Sequence, residues 1–216
     1  MDFIYMWGIV PILAQGALMT LELTVLSIIF GTVLGLILAL MKISSNQAAT
    51  KAAGFYIYVM RGTPLLLQLF AIYYGGPSVG INLPPFVAAV AAMSLNSAAY
   101  VAEIIRAGIQ SIDRGQMEAA KALGMTYGQA MRRVILPQAY RRLIPPMGNE
   151  FIALLKDSSL VSTIAMTELM RNAQQMYANS FKAVEVFTLA GIFYLLMTSV
   201  FTVVFGKIER RYSVYE

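Results

Sequence analysis

Long stretches without a charged residue constrain the fold more than any other feature of the sequence. Two of them run from residue 23 to 41 and from residue 186 to 206. A helix needs about 20 apolar residues to cross the hydrocarbon core of a bilayer. Only 12% of the 216 residues are charged, whereas soluble domains have about a quarter. The sequence therefore predicts an all-α integral membrane protein.

Further apolar segments bring the prediction to about five transmembrane helices in one domain covering residues 1–216. The expected spans are Ala17–Met41, Ala53–Tyr74, Phe86–Ile109, Pro146–Ala165 and 186–206. Gly and Pro residues predict a turn at 75–85, and residues 166–183 are expected to form a loop. Residues 3–13 are apolar but short, so we expect an interfacial helix there rather than a span.

Lys and Arg residues concentrate in alternate loops, which predicts an orientation in the membrane. The segment before the first span and the turn at 75–85 contain neither residue type, whereas the loop after the third span and the C-terminal tail are rich in both. The N-terminus is therefore predicted to lie outside, and the C-terminus and residues 114–137 in the cytoplasm. Because the net charge of +5 resides in these loops, it does not indicate a nucleic-acid partner.

Residues 118–138, "EAAKALGMTYGQAMRRVILPQ", form a basic, half-polar stretch between apolar spans. The residues that follow Glu118 are strong helix formers, and Gly124 is a natural helix stop. Thr126 is a plausible N-cap for a second helix, which Pro137 limits or kinks. The pattern predicts a cytoplasmic helix–glycine–helix hairpin. An ordinary connector between spans is the alternative.

The hairpin also resembles a known motif. Glu118-Ala119-Ala120, followed by Gly124 and by Val134-Ile135-Leu136-Pro137, resembles the EAA loop of bacterial ABC-importer permeases, with Val134 in place of the usual isoleucine. The segments "RGTPLLLQLF" (61–70), "NSAAYVAEIIRAGIQSID" (96–113) and "LLKDSSLVS" (154–162) resemble the polar amino-acid permeases of the histidine, arginine and glutamine type. The resemblance extends over nearly the whole chain.

This resemblance implies an ABC-importer permease fold in a bacterial cell membrane and a set of partners. They are two cytoplasmic ATPase subunits, a second permease subunit that is identical or homologous, and an extracytoplasmic substrate-binding protein. The EAA loop is implied to dock on an ATPase. The expected coupling residues are Glu118, Ala119, Ala120, Leu123, Gly124, Arg132, Leu136 and Pro137.

The chain itself shows no sequence sign of enzymatic activity. It has no cysteine and no histidine, which removes thiolate metal sites and the commonest general base. It also has no G-x-x-x-x-G-K-[ST] phosphate-binding loop. We therefore expect no catalytic residue, no metal site and no bound cofactor in this chain, with ATP and Mg²⁺ bound by the partner ATPase.

Polar residues inside the predicted spans indicate a substrate cavity, because charges in a bilayer are costly unless they face a polar interior. Asn96, Tyr100 and Glu103 share one helical face. The full candidate set is Arg61, Thr63, Asn96, Tyr100, Glu103, Asn149, Glu150, Lys156, Asp157, Ser158 and Ser159. Arg61, Thr63, Lys156 and the serines are donors for a substrate carboxylate, and the acids and Asn96 are acceptors for an ammonium.

Three intramembrane acids against two bases favour a cationic amino acid such as arginine, lysine or histidine. Each charge also has a structural interpretation, for instance a pair between Glu103 and either Arg106 or Lys156. Two other functions remain open, an ion-gradient-driven secondary carrier and a membrane scaffold. The secondary carrier gives the EAA spacing no purpose, and the scaffold leaves the buried charges unexplained except as ion pairs.

Overall fold

The computed structural model describes residues 2–212, and within that range every regular element is a helix. The α-helices are α1 (Phe3–Ile43), α2 (Gln47–Gly62), α3 (Leu65–Tyr73), α4 (Pro85–Gln110), α5 (Arg114–Ala122), α6 (Tyr127–Ala130), α7 (Leu136–Asp157), α8 (Leu169–Ser180) and α9 (Ala183–Tyr212). Short 3₁₀ segments occupy Gly76–Val79 and Ser158–Ile164, and Met131–Ile135 is π-helical.

Three of these helices, α1, α4 and α9, are long and apolar enough to cross a membrane, and the α2–α3 pair is a fourth candidate. This confirms the predicted all-α membrane fold. Helix α4 begins and ends within one residue of the predicted span Phe86–Ile109. Helix α9 begins three residues before the predicted span 186–206 and ends six residues after it. The number and orientation of the crossings remain predictions.

Helix α1 differs from its prediction, because the expected interfacial helix at 3–13 and the span Ala17–Met41 form one helix of 41 residues. At about 1.5 Å per residue it is roughly 60 Å long. Its first half is ordered by tertiary contacts: Ile9, Leu13 and Ala17 are buried against Leu169 of α8 and Val186 of α9. Pro11 lies inside the helix without ending it.

The predicted span Ala53–Tyr74 is broken, because α2 and α3 meet at an angle of 103°. Thr63 is extended, with φ of −121° and ψ of 145°, and Pro64 follows it. Proline lacks an N–H group and disfavours helical geometry in the residue before it. The break places residues 61–64 at a bend beside α4 instead of in a straight rod.

Helix α4 packs against α1 at two glycines of α1, Gly31 and Gly35, which form a Gly-x-x-x-Gly motif. A Cβ atom added at Gly35 would lie 2.8 Å from the side chain of Val101, and one at Gly31 would lie 3.1 Å from Cβ of Ser97. Both distances are too short for a methyl group. The glycines therefore allow the two helices to approach closely.

The predicted fourth span, Pro146–Ala165, is displaced toward the N-terminus. Helix α7 begins at Leu136, continues through Pro145 and Pro146, and ends at Asp157, after which the chain tightens into a 3₁₀ segment. The predicted loop 166–183 contains α8. This helix starts where the buried Glu168 carboxylate accepts hydrogen bonds from the N–H groups of Met170 and Arg171.

Candidate functional site

A cavity of about 530 Å³, here called the central cavity, lies beside the α2–α3 bend. It is enclosed by the bend, by the middle of α4 and by the C-terminal half of α7. Its lining residues are Arg61, Gly62, Thr63, Pro64, Leu65, Asn96, Tyr100, Glu150, Ala153, Leu154, Asp157 and Leu160. Six of the predicted site residues, from three separate segments of the chain, therefore meet at one cavity.

A second cavity, of about 570 Å³, lies next to the first on the side of the predicted coupling loop, and is called the coupling-side cavity. Its lining residues are Arg61, Tyr100, Glu103, Ile104, Ala107, Gly108, Ser111, Arg142 and Pro146. Helices α4 and α7 run antiparallel along both cavities. From the central cavity to the coupling-side cavity, the residue numbers of the lining therefore rise along α4 and fall along α7. Arg61 and Tyr100 are common to both linings.

Arg61 stands at this shared wall and contacts two residues of α4. Its guanidinium carbon lies 5.3 Å from the centre of the Tyr100 ring, within cation–π range. Its Nη1 atom lies 3.7 Å from a carboxylate oxygen of Glu103. Glu103 is paired more tightly with Arg106, whose Nε and Nη2 donate at 3.1 and 2.8 Å. The charge of Glu103 is thus compensated by two arginines of the same chain.

Glu150 differs from Glu103, since it forms no ion pair with any residue in the range 2–212. Its partner is the hydroxyl of Ser97 on α4, which donates to the carboxylate at 2.7 Å. Asp157 lines the same cavity two helical turns along α7 and also lacks an ion pair among the described residues. The central cavity therefore contains two carboxylates without a close ion-pair partner among the described residues, and Arg61 and Lys156 act on them only at longer range.

Two of the predicted ligands make their hydrogen bonds within the protein. Asn96 is 7% exposed, and its Nδ2 donates to the carbonyl of Met60 and to the side-chain oxygen of Gln68. The hydroxyl of Thr63 donates to the carbonyl of Val59 at 2.8 Å and accepts from Gln68. Both residues line the cavity, but their donor protons are already used.

The other predicted ligands do not line either cavity. Asn149 and Lys156 are exposed on α7, and Ser159 follows that helix. Ser158 is fully buried, and its hydroxyl donates to the carbonyl of Leu155. Of the predicted carboxylate donors, Arg61 and Thr63 line the central cavity, and the Thr63 hydroxyl already donates to the carbonyl of Val59.

Two residues that do not line the cavity but bond to residues that do were missed by sequence reasoning. Gln68 follows the helix break by five residues, and a buried polar residue so close to a break is a signal that the sequence contains. Ser97 is adjacent to Asn96 but faces Glu150 across the α4–α7 contact. Nothing in the sequence pairs these two positions, so only the tertiary structure identifies the contact.

The predicted hairpin forms in the coupling segment. Helix α5 spans Arg114–Ala122, and Gly124 adopts a left-handed φ of +79°. Thr126 caps α6 reciprocally: its hydroxyl accepts from the N–H of Gln129, whose side chain accepts from the N–H of Thr126. Pro137 stands in the first turn of α7 and does not end the helix.

The coupling residues differ in exposure along this hairpin. Glu118, Ala119, Leu123, Gly124, Arg132, Leu136 and Pro137 are exposed, whereas Ala120 is buried. Leu123 has 80% of its surface accessible. Tyr127, on the other side of the turn, is 61% exposed, so the hairpin has apolar surface available for contact.

Comparisons with known proteins agree with this geometry. Residues 31–214 match the family described as binding-protein-dependent transport system inner membrane component. An arginine transport system permease protein of Bacillus subtilis (strain 168) is 44% identical over 203 residues, covering 94% of this chain and 93% of the relative. A glutamine transport system permease protein of Escherichia coli (strain K12) is 38% identical over 215 residues, covering 99% and 98%.

A solved structure supports the same assignment. A crystal structure of an amino acid ABC transporter with histidines contains a chain that is 46% identical, with a TM-score of 0.94 over 98% of this chain and 99% of that chain. The chain described here therefore belongs to the binding-protein-dependent transport system inner membrane components, and it is a non-enzymatic permease subunit of an ABC importer.

Proposed function

We propose that this permease subunit of an ABC amino-acid importer carries a cationic amino acid through the central cavity. The observation that carries the proposal is the pair of carboxylates, Glu150 and Asp157, that line this cavity without an ion pair in the described residues. Glu150 is partly buried, and Asp157 is exposed. A partly buried carboxylate without a counter-charge is costly, so a cation that enters the cavity removes a cost at Glu150 and is also attracted by Asp157. The ammonium or guanidinium group of arginine or lysine is such a cation.

Arg61 supplies the opposite charge in the lining of the same cavity. It is held by Tyr100 and by the outer edge of the Glu103–Arg106 pair, at contact distances of 5.3 and 3.7 Å. Neither contact is a bidentate salt bridge, so the guanidinium has donors available for a substrate α-carboxylate. The cavity then binds the carboxylate at Arg61 and the cationic groups toward Glu150 and Asp157.

The names of the relatives are consistent with a cationic amino-acid substrate, but some of them specify other amino acids. Their names specify arginine and octopine, and also glutamine and L-cystine. The cavity charges therefore argue for the cationic substrate, and the family argues only for an amino acid.

The coupling part of the proposal concerns the hairpin. We propose that the exposed surface around Leu123 and Gly124 binds a separate ATPase subunit, and that the importer also contains a second permease subunit and an extracytoplasmic binding protein. ATP and Mg²⁺ belong to the ATPase. Closure of two ATPases would move the hairpins together and alter access to the central cavity.

A binding screen of the purified complex against the twenty common amino acids tests the substrate class. We expect arginine, lysine or histidine to give the tightest binding by calorimetry. Preferential binding of a neutral or acidic amino acid would overturn the assignment of Glu150 and Asp157 as ligands for a cation, while leaving the family unchanged.

A further inference from the structure

The break between α2 and α3 leaves a backbone carbonyl without its usual helical partner. In an α-helix the carbonyl of residue 60 accepts from the N–H of residue 64, but residue 64 is Pro64, which has no N–H. A backbone carbonyl that is shielded from water is costly to leave without a hydrogen bond. The carbonyl of Met60 therefore needs a donor from elsewhere in the fold.

Two buried amides supply that donor. Nε2 of Gln68 lies 2.9 Å from the Met60 oxygen, and Nδ2 of Asn96 lies 3.2 Å from it. Nε2 of Gln68 also contacts the carbonyl and the hydroxyl oxygen of Thr63, at 3.1 and 2.9 Å. The side-chain oxygen of Gln68 accepts from Asn96 at 2.9 Å. The five groups form one network that joins α2, α3 and α4.

Chemistry fixes the orientation of both amides. A backbone carbonyl only accepts hydrogen bonds, so each amide must present its NH₂ group to Met60. Gln68 and Asn96 are 8% and 7% exposed. A rotated amide would place two acceptors against each other in a site that little water can reach, so the arrangement has one stable form.

We propose that Gln68, together with Asn96, is a positioning residue that holds the α2–α3 bend at its observed angle. Arg61 directly follows the bonded carbonyl of Met60, and Thr63 carries the other bonded carbonyl, so the network fixes where these two residues face the central cavity. Gln68 is not itself among the residues that line that cavity. The effect on transport rests on the proposed function, whereas the effect on the bend does not.

Gln68→Leu removes every hydrogen bond that Gln68 makes in the network at nearly constant size, and leaves only the bond from Asn96 to the Met60 carbonyl. Loss of these bonds should raise the half-saturation concentration for arginine uptake by about tenfold. Gln68→Glu keeps the shape but presents only acceptors when ionised. Its uptake relative to the unmodified protein should therefore rise as the pH is lowered, since the protonated acid regains one donor.

A matched control is available on the same helix pair. Gln47 is exposed at the start of α2, away from both cavities. Gln47→Leu and Gln47→Glu should leave the half-saturation concentration and the pH profile unchanged. Uptake would be measured with labelled arginine in vesicles that contain the full complex with its ATPase and binding protein.

A distance measurement separates the bend from transport. The chain has no cysteine, so spin labels can be attached at Phe55→Cys on α2 and Leu67→Cys on α3, both exposed positions. We expect Gln68→Leu to broaden or shift the distance between the labels, and Gln47→Leu to leave it unchanged. An unchanged distance in Gln68→Leu would overturn the positioning role.

The two readouts together also test the link to substrate binding. A changed distance with a raised half-saturation concentration supports the whole proposal. A changed distance with unaltered arginine uptake would overturn the proposed roles of Arg61 and Thr63 while leaving Gln68 as the residue that sets the bend.

Discussion

Replacing Glu150 with glutamine is the perturbation that isolates charge from shape in the central cavity. Glu150→Gln keeps the side-chain length, and the Ser97 hydroxyl, which lies 2.7 Å from the carboxylate, can donate to the new amide oxygen instead. The variant should therefore fold and assemble normally. Only the negative charge that faces a cationic substrate is removed.

The magnitude follows from the hydrogen-bond energies of charged groups. A hydrogen bond to a charged partner contributes about 1.5–3 kcal/mol, and each 1.4 kcal/mol is about a tenfold change in affinity. Because Glu150 has no competing ion pair in the described residues, its full contribution should be available to the substrate. We expect a loss of about 10- to 100-fold in apparent affinity for arginine.

The assay compares arginine with glutamine, which is neutral in its side chain. Half-saturation concentrations would be measured for both substrates in vesicles that contain the intact complex. Glu209→Gln is the matched control, since Glu209 is exposed near the end of α9 and lines neither cavity. An equal loss for arginine and glutamine, or no loss for arginine, would refute the electrostatic role of Glu150.

Three further predictions concern the coupling hairpin and stability. Gly124 has a φ of +79° and open space around its Cβ position. Gly124→Leu should therefore cost about 1–2 kcal/mol through the backbone alone and lower uptake per ATP hydrolysed, whereas Gly124→Asn should have a smaller effect. The uptake rate and the ATP hydrolysis rate are measured in the same vesicles. Lys182 donates to Asp2 at 2.5 Å and lowers the pKa of that carboxyl below its usual 3.8. Lys182→Met should therefore reduce the melting temperature at neutral pH, and the difference in melting temperature from the unmodified protein should vanish as the pH falls through the lowered pKa. Equal differences at neutral and strongly acidic pH would contradict this. Ala165 has a left-handed φ of 59°. Ala165→Gly should therefore relieve about 1 kcal/mol of backbone strain and raise the melting temperature slightly. A lower melting temperature in this variant would show that the strain is absent.

Sequence reasoning succeeded where a local pattern determines the structure. The charge-free run at 186–206 and the polar stripe on α4 were recognisable because a membrane span and a helical face have fixed periods. The turn at Gly124 and the cap at Thr126 were recognisable because each depends on a few neighbouring residues. The family motifs added the partners, which no local pattern contains.

The misses share one physical cause, namely contacts between residues far apart in sequence. Residues 3–13 are helical and continuous with the first span because they pack against α8 and α9. Helix α8 is capped by Glu168, which is held in place by the hydroxyls of Thr20 and Tyr194 at 3.3 and 3.2 Å. No window around residues 166–183 shows these partners.

The candidate site was predicted in part for the same reason. Arg61, Tyr100, Glu150 and Asp157 were identified from charge and helical spacing, and the fold brings them to one cavity. The commitment of the Asn96 amide to Met60 and Gln68 could not be foreseen, because it depends on the 103° bend between α2 and α3. Residue type identified the polar positions, and the tertiary structure decided which remain free for a ligand.

The central claim is that this permease subunit and a separate ATPase drive a cationic amino acid across the membrane. It is tested most directly by following labelled arginine into sealed vesicles that contain the complete importer and its binding protein. We predict accumulation against a concentration gradient that requires ATP hydrolysis and is unaffected when ion gradients are collapsed. Accumulation that an ion gradient drives without ATP would contradict the account.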